Sequence, residues 1–390
     1  MKLLVLAQTP PPVHGQSLMV RTLLEGLPAQ GIPLHHVELR LSHDSADIGR
    51  WRLEKIATTL MAALTTITAR FRHGCDTLYY IPAPGKRGAL YRDWLVLALC
   101  RPFFRKLVLH WHAAGLADWL EKSATGCERR VSRWLLGRAD LSLVLAEALR
   151  GDAVYFGASR VRVVPNGIAD PAAETMRGSE GAGLDRRIRP RPELAHGAPC
   201  RVLFLGLCSR AKGVFDAMEG VARANQRAQA AGGAAATFEL TVAGGFASAA
   251  EEAEFQARAA QLGGAVRHVG FADETRKHAL LAAADVFCFP TAYPHEGQPL
   301  VLLEALAHDL PIVTTRWRAI PELVPSEHVW LVEPGAPEAI AEALLAARAA
   351  AGRADGARRR HYLAHFTRER HLVALAAALR ELERPCQPAR

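Results

Sequence analysis

Apolar positions along the chain fall into short runs separated by longer segments of helical period. In the first half "LLVLA", "LYYI", "LVLHW" and "LSLVLA" read as strands, with helices predicted between them at 17–29, 50–72 and 88–101. After "VRVVPNGI" (161–168) the pattern gives way to a stretch rich in Gly, Pro and charge, which reads as linker and surface loop. The alternation then resumes with "CRVLFLG", "FELTVAGG", "AVRHVGF", "DVFCFP", "LPIVTT" and "VWLV", each followed by a helical or turn segment. Strand and helix alternating from end to end predict an α/β protein with two parallel sheets covered by helices. The expected division is a first Rossmann-like domain at 1–170, a linker at 171–198, a second Rossmann-like domain at 199–360 and a basic C-terminal helix at 361–390, packing back on the first domain.

A length of 390 residues agrees with two domains of ordinary size. Half the residues are apolar and 22% are charged, which fits a globular rather than a disordered chain. The seven cysteines are scattered and never spaced C-x-x-C, so a reduced, cytoplasmic chain is expected rather than a disulfide scaffold or zinc protein. "MKLLVLAQTPPPVHGQ" reads as a buried first strand rather than a signal peptide, and no uncharged stretch reaches the roughly 18 apolar residues of a membrane span. A net charge of +9 favours an anionic partner.

The chemistry concentrates in "FPTAYPHEGQPLVLLEALAHDLPIV" (289–313). A strand ends at Pro290, a polar loop carries Glu296, and Pro299 suits the first turn of a helix in which Glu304 lies about 7 Å along the axis. Between the two carboxylates lie the unpaired N–H groups of a helix start, a site for phosphate. That spacing suits a ligand with hydroxyls at both ends and a pyrophosphate in the middle, as in a nucleotide sugar. Taken singly, Glu296 reads as a solvated loop acid and Glu304 as a first-turn acid favoured by the helix dipole.

Assembled, the stretch resembles the retaining glycosyltransferases of family 4, with the two-domain GT-B fold: two Rossmann-like parallel-sheet domains facing across a central cleft. The family's E-x7-E motif corresponds to Glu296 and Glu304, with "AIPELV" following. The resemblance implies that Glu296 contacts donor-sugar hydroxyls, Glu304 contacts the ribose, and amides around Gln298 to Val301 hold the distal phosphate, with Gly297, Gln298, Pro299, Leu300 and Val301 all lining the donor. In "LFLGLCSRAKGVFDA" (203–217) it implies that Gly206 lines the donor and that Lys212 neutralises the pyrophosphate. The family's Arg directly follows that glycine; Leu207 stands there, and Arg210 is the candidate replacement. Fixed cations serve the reaction because the departing nucleoside diphosphate gains negative charge as the glycosidic bond breaks.

The same resemblance places Gly15 of "QTPPPVHGQS" in a loop facing acceptor and phosphate, where the family commonly has paired glycines and this chain has His14-Gly15. A plain Pro-rich turn is the alternative. Of the two histidines in "LVLHWHAAG", His110 and His112 share a strand face, and His112 matches the family's histidine beside the donor sugar. Gly244 is implied near the diphosphate and Phe271 near the base. Asn166 is expected to make local hydrogen bonds and Gly167 to serve backbone conformation.

The function implied is a retaining, metal-independent sugar transferase acting on a nucleoside-diphosphate sugar as substrate, with no cofactor. The acceptor is a saccharide or a lipid-linked saccharide of bacterial polysaccharide or lipopolysaccharide assembly. The Trp-, Phe- and Arg-bearing segments 50–73 and 91–111 suit peripheral contact with an anionic membrane, although for each the ordinary reading, a helix packed on the first sheet, comes first. A transferase with a soluble small-molecule acceptor and a non-catalytic sugar-nucleotide binder are the alternatives. "QTPPPVHGQS" lacks the G-x-G-x-x-G of a dinucleotide site, "GLCSRAKG" lacks the P-loop order, and no nucleic-acid module is recognised.

Overall fold

The computed structural model describes residues 1–39, 53–172, 198–232, 237–350 and 356–383. Most of the linker expected at 171–198, the first residues of the helix expected at 50–72 and the last of the C-terminal segment lie outside the described residues. The chain divides into two compact units, one of Met1–Gly167, His295–Gln298 and Arg368–Arg390, the other of Ile168–Pro294 and Pro299–Thr367.

In the first unit β1 (Leu3–Ala7), β2 (Leu34–Glu38), β3 (Thr77–Tyr80), β4 (Lys106–Trp111), β5 (Leu141–Val144) and β6 (Val161–Val163) form a parallel sheet in the order β2-β1-β3-β4-β5-β6. The four strands legible as apolar runs are the inner ones, buried along their length apart from Lys106 at the start of β4. β2 and β6 were not predicted, because edge strands need no continuous apolar run: "LHHVE" and "VRV" are largely half-buried or exposed. Alternation sends Leu78, Tyr80, Leu107 and Leu109 to one face, under α2 (Leu53–Arg72), α3 (Arg87–Cys100) and a helix at Gly126–Leu136. Leu3, Val5, Tyr79 and Val108 go to the other face. There Val20 and Leu23 of α1 (Gly15–Gly26) and Leu375, Ala376 and Leu379 of the helix Arg368–Arg380 complete the core.

The second unit repeats the plan with β7 (Cys200–Leu205), β8 (Phe238–Ala243), β9 (Val266–His268), β10 (Val286–Phe289), β11 (Ile312–Thr315) and β12 (Val329–Val332), ordered β12-β11-β10-β7-β8-β9 and all parallel. This is a doubly wound order whose direction reverses between β7 and β10, where such sheets take ligands at the carboxyl ends of their strands. The loops that reach this point are 206–213 and 290–299. In the first unit the reversal lies between β1 and β3, under the loops 8–14 and 81–86.

Candidate functional site

At the reversal in the second unit, the helix Leu300–Ala307 follows β10. Pro299 is its N-cap, no side chain caps it, and no acid lies in its first turn. Its first N–H groups and positive dipole end therefore point at the loop with no carboxylate of its own to answer them. Leu300, Leu302, Leu303, Ala305 and Leu306 are buried, so the helix is held on several sides and its start is fixed. Glu304 is not a first-turn acid. It sits in the second turn, 6% exposed, and its Oε1 accepts from Lys277 Nζ at 2.6 Å, while Oε2 is buried without a hydrogen-bond partner among the described residues. Burial raises the Glu304 carboxyl above its ordinary range, with the Lys277 ammonium acting in the opposite sense.

Across the reversal, Lys212 Nζ lies over the Tyr293 ring, 4.6 Å from its centroid, and 5.8 Å from that of Phe289. This seats the ammonium on aromatic faces beside the end of β10. Arg210 is placed differently. Its guanidinium makes 2.7 Å bonds to both oxygens of Glu254, stacks on Phe215 and is largely exposed. Water screens an exposed pair of this kind, so it holds Arg210 weakly. Leu207, in the position of the family's Arg, is 45% exposed.

Gly206 and Gly244 bring the ends of β7 and β8 together. A Cβ on Gly244 would stand 1.8 Å from the Gly206 carbonyl oxygen, and Gly244 has φ +142°, so close packing alone demands glycine there. Phe271, just beyond β9, is 65% exposed.

In the first unit the segment 295–298 packs on the end of β4. His295 Nδ1 lies 3.1 Å from the Ala114 carbonyl, and a Cβ on Gly297 would fall 2.2 Å from the carbonyl oxygen of His112. Glu296 is only 5% exposed, unlike a solvated loop acid. Gln298 commits its side chain to the fold: its Oε1 accepts from the Asn166 N–H at 2.5 Å, and its carbonyl accepts from Asn166 Nδ2 at 3.3 Å. The bonds of Asn166 are thus not local but reach a residue far along the chain. Packing of this segment against β4 brings Glu296, Gly297 and Gln298 to His112 and Asn166. Glu304 lies in the other unit.

His110 and His112 do share a face, with ring centroids 4.1 Å apart. His110 Nδ1 pairs with the Tyr79 hydroxyl. Burial pulls His112 down to about 3 and His371, whose Nδ1 lies 2.7 Å from the Pro165 carbonyl, down to about 4. Both rings are neutral near pH 7, and His112 Nε2 has no partner among the described residues. A neutral, desolvated imidazole can donate or accept a hydrogen bond without bringing charge.

Gly15 opens α1, and His14 caps it: His14 Nδ1 accepts from the Ser17 N–H at 3.2 Å, and Ser17 Oγ answers the His14 N–H at 3.1 Å. His14 thus serves the start of α1 as its cap. This cap had no readable signal, since the usual signature has Ser or Thr at the N-cap and Glu or Gln three residues on. Lys277 had none, since "DETRKHALLAA" reads as any charged surface helix.

Two six-stranded parallel sheets of doubly wound order, together with the solved glycosyltransferase structures that superpose on the chain, give it the GT-B fold. The family model "Glycosyl transferases group 1" matches residues 199–349, and this stretch is a glycosyltransferase group 1 domain. WcaL of Escherichia coli strain K12, described as a candidate colanic acid biosynthesis glycosyltransferase, is 28% identical over 218 residues, 54% of this chain and 48% of its own. The chain thus spans about half the length of this curated relative. Among solved structures, sucrose-phosphate synthase from Thermosynechococcus elongatus superposes with a TM-score of 0.70 at 20% identity, covering 98% of this chain and 99% of its own. Anabaena Alr3699/HepE in complex with UDP-glucose gives 0.64 at 17% identity, covering 98% and 100%.

Proposed function

We propose that the protein is a retaining glycosyltransferase of the family 4 type that moves a sugar from a nucleoside-diphosphate sugar to a saccharide acceptor of cell-surface polysaccharide or lipopolysaccharide assembly. One observation carries the reading: at the reversal point of the second sheet, the aromatic-seated Lys212 and the uncapped start of the helix Leu300–Ala307 flank the place where a diphosphate would lie. Relatives that carry UDP-glucose in one case and a colanic acid role in another support the class of donor and acceptor.

In this reading the diphosphate is held by first-turn amides and Lys212, with Arg210 leaving Glu254 to join it. Glu304 accepts from the ribose, and Glu296 and neutral His112 bond the sugar's hydroxyls. Cationic and dipolar stabilisation of the leaving group takes the place of a divalent metal. The acceptor is a hydroxyl that attacks the anomeric carbon on the face the phosphate leaves, that phosphate taking the proton.

The acceptor is proposed to be lipid-linked. Met61, Leu64 and Phe71 of α2, with Phe103 and Trp134, are exposed apolar side chains interleaved with Arg70, Arg105 and Arg138, a pattern suited to an anionic bilayer surface. Among the described residues no helix is long and apolar enough to cross a membrane. Release of nucleoside diphosphate from UDP- and GDP-sugars, with and without crude lipid acceptor and with chelator present, tests the reading. Acceptor-dependent release that survives chelation supports it, and donor binding without release would favour a non-catalytic binder. Flotation with phosphatidylglycerol vesicles, abolished by Trp134→Ala with Phe71→Ser, tests the lipid arm.

A further inference from the structure

We propose that Lys277 is a positioning residue of the donor site, holding one oxygen of Glu304 so that the other faces the ribose hydroxyls of the nucleotide. The inference rests on the donor reading above and goes further by naming what orients its ribose acceptor. Glu304 Oε1 is taken by Lys277 Nζ at 2.6 Å, and the two side chains are 7% and 12% exposed. Oε2 is buried with no partner among the described residues. A buried carboxylate oxygen lacking a donor is costly to keep, and a ligand hydroxyl is the kind of group that relieves it.

Burial alone would drive Glu304 to hold a proton, turning an acceptor of two hydroxyls into a group that competes as a donor. The adjacent ammonium opposes this. Glu274 fixes it from the far side: Lys277 Nζ also donates to Glu274 Oε2 at 3.0 Å. The charged and titratable groups facing the pair are Glu274, Lys277 and His278 on the helix Glu274–Ala283, and His308 just beyond the helix Leu300–Ala307. His278 Nε2 lies 3.2 Å from Glu274 Oε1 and His278 Nδ1 lies 3.1 Å from His308 Nε2. The cation that neutralises Glu304 thus comes from the protein, and the nucleotide meets a carboxylate already oriented.

The test is calorimetric titration of the full chain with UDP, GDP and their 2′-deoxy counterparts between pH 6 and 8.5, for wild type, Lys277→Met, Lys277→Arg, Glu304→Gln and the Lys277→Met/Glu304→Gln double variant. Wild type is expected to prefer the ribo over the deoxyribo ligand by tenfold or more. Lys277→Met is expected to lose most of that preference and to bind tenfold or more weaker at pH 6, recovering towards pH 8.5, while Lys277→Arg retains both properties. The double variant should bind no more weakly than Glu304→Gln. A Lys277→Met loss that is the same at every pH and for both sugars, or that adds in full to Glu304→Gln, makes the lysine merely structural and overturns the proposal. A wild type that binds these ligands with no preference for the ribo form overturns Lys277's role and leaves the donor reading standing. A wild type that binds none of them overturns the donor reading and Lys277's role with it. Should Lys277→Met fail to fold, Lys277→Gln carries the same expectations.

Discussion

The two units share one plan and arm it differently. Each is a six-stranded parallel sheet with a reversal of order. At the carboxyl end of the first sheet stand the uncharged, buried rings of His110 and His112, the Tyr79 hydroxyl, the buried Glu296 carboxyl and an α1 start already capped by His14. At the second stand Lys212, the Lys277–Glu304 pair and a helix start that no side chain caps. A helix start closed by its own side chain has little left for an anion, whereas an open one beside a lysine has much. The scaffold sets where a ligand lies, and the loop residues set which charge it carries.

The difference can be broken most sharply at Lys212. If the second unit's charge does the chemistry, Lys212→Ala should lower turnover by about 10²–10³, the usual scale for one transition-state donor, with Tm little changed. Measured release of nucleoside diphosphate decides it, and unchanged turnover removes the lysine from the mechanism. Gly244→Ala tests the scaffold instead. A methyl 1.8 Å from the Gly206 carbonyl should cost on the order of 3 kcal/mol by denaturant unfolding, and should disturb donor binding only as far as the strand ends move.

The neutral histidines make the first unit acid-sensitive. A histidine whose folded pKa is depressed stabilises fully above its unfolded value of about 6.5 and loses that contribution as pH falls towards its folded value. For His371, held at about 4 by burial, the loss between those limits is about 3 kcal/mol. His371→Leu should therefore flatten the fall of Tm between pH 6.5 and 4, even if its Tm at pH 7 is lower. The smallest effect is expected at the cap: His14→Ala should cost about 1 kcal/mol and leave donor affinity unchanged.

Much of the architecture was legible because apolar runs mark parallel strands, and the six runs "CRVLFLG" to "VWLV" all became strands of the second sheet, its edges β9 and β12 included. Edge strands β2 and β6 were hidden by the same logic. The two glutamates stood out because their spacing around Pro299 is readable locally. Their surroundings were not: Lys277 meets Glu304 and Gln298 meets Asn166 only through folding, across 27 and 132 positions of sequence. Arg210 shows the converse. Its place in the loop was readable, but its ion pair with Glu254, 44 residues on, was not.

The central claim is that the start of the helix Leu300–Ala307 receives a diphosphate. A crystal structure with a nucleoside-diphosphate sugar bound tests this most directly. The account predicts the phosphates against the amides of Leu300 and Val301, with Lys212 Nζ in hydrogen-bond reach and the ribose on Glu304 Oε2. A nucleotide bound away from that helix start, with Lys212 still seated on Tyr293 and Glu304 Oε2 still without a partner, would contradict it.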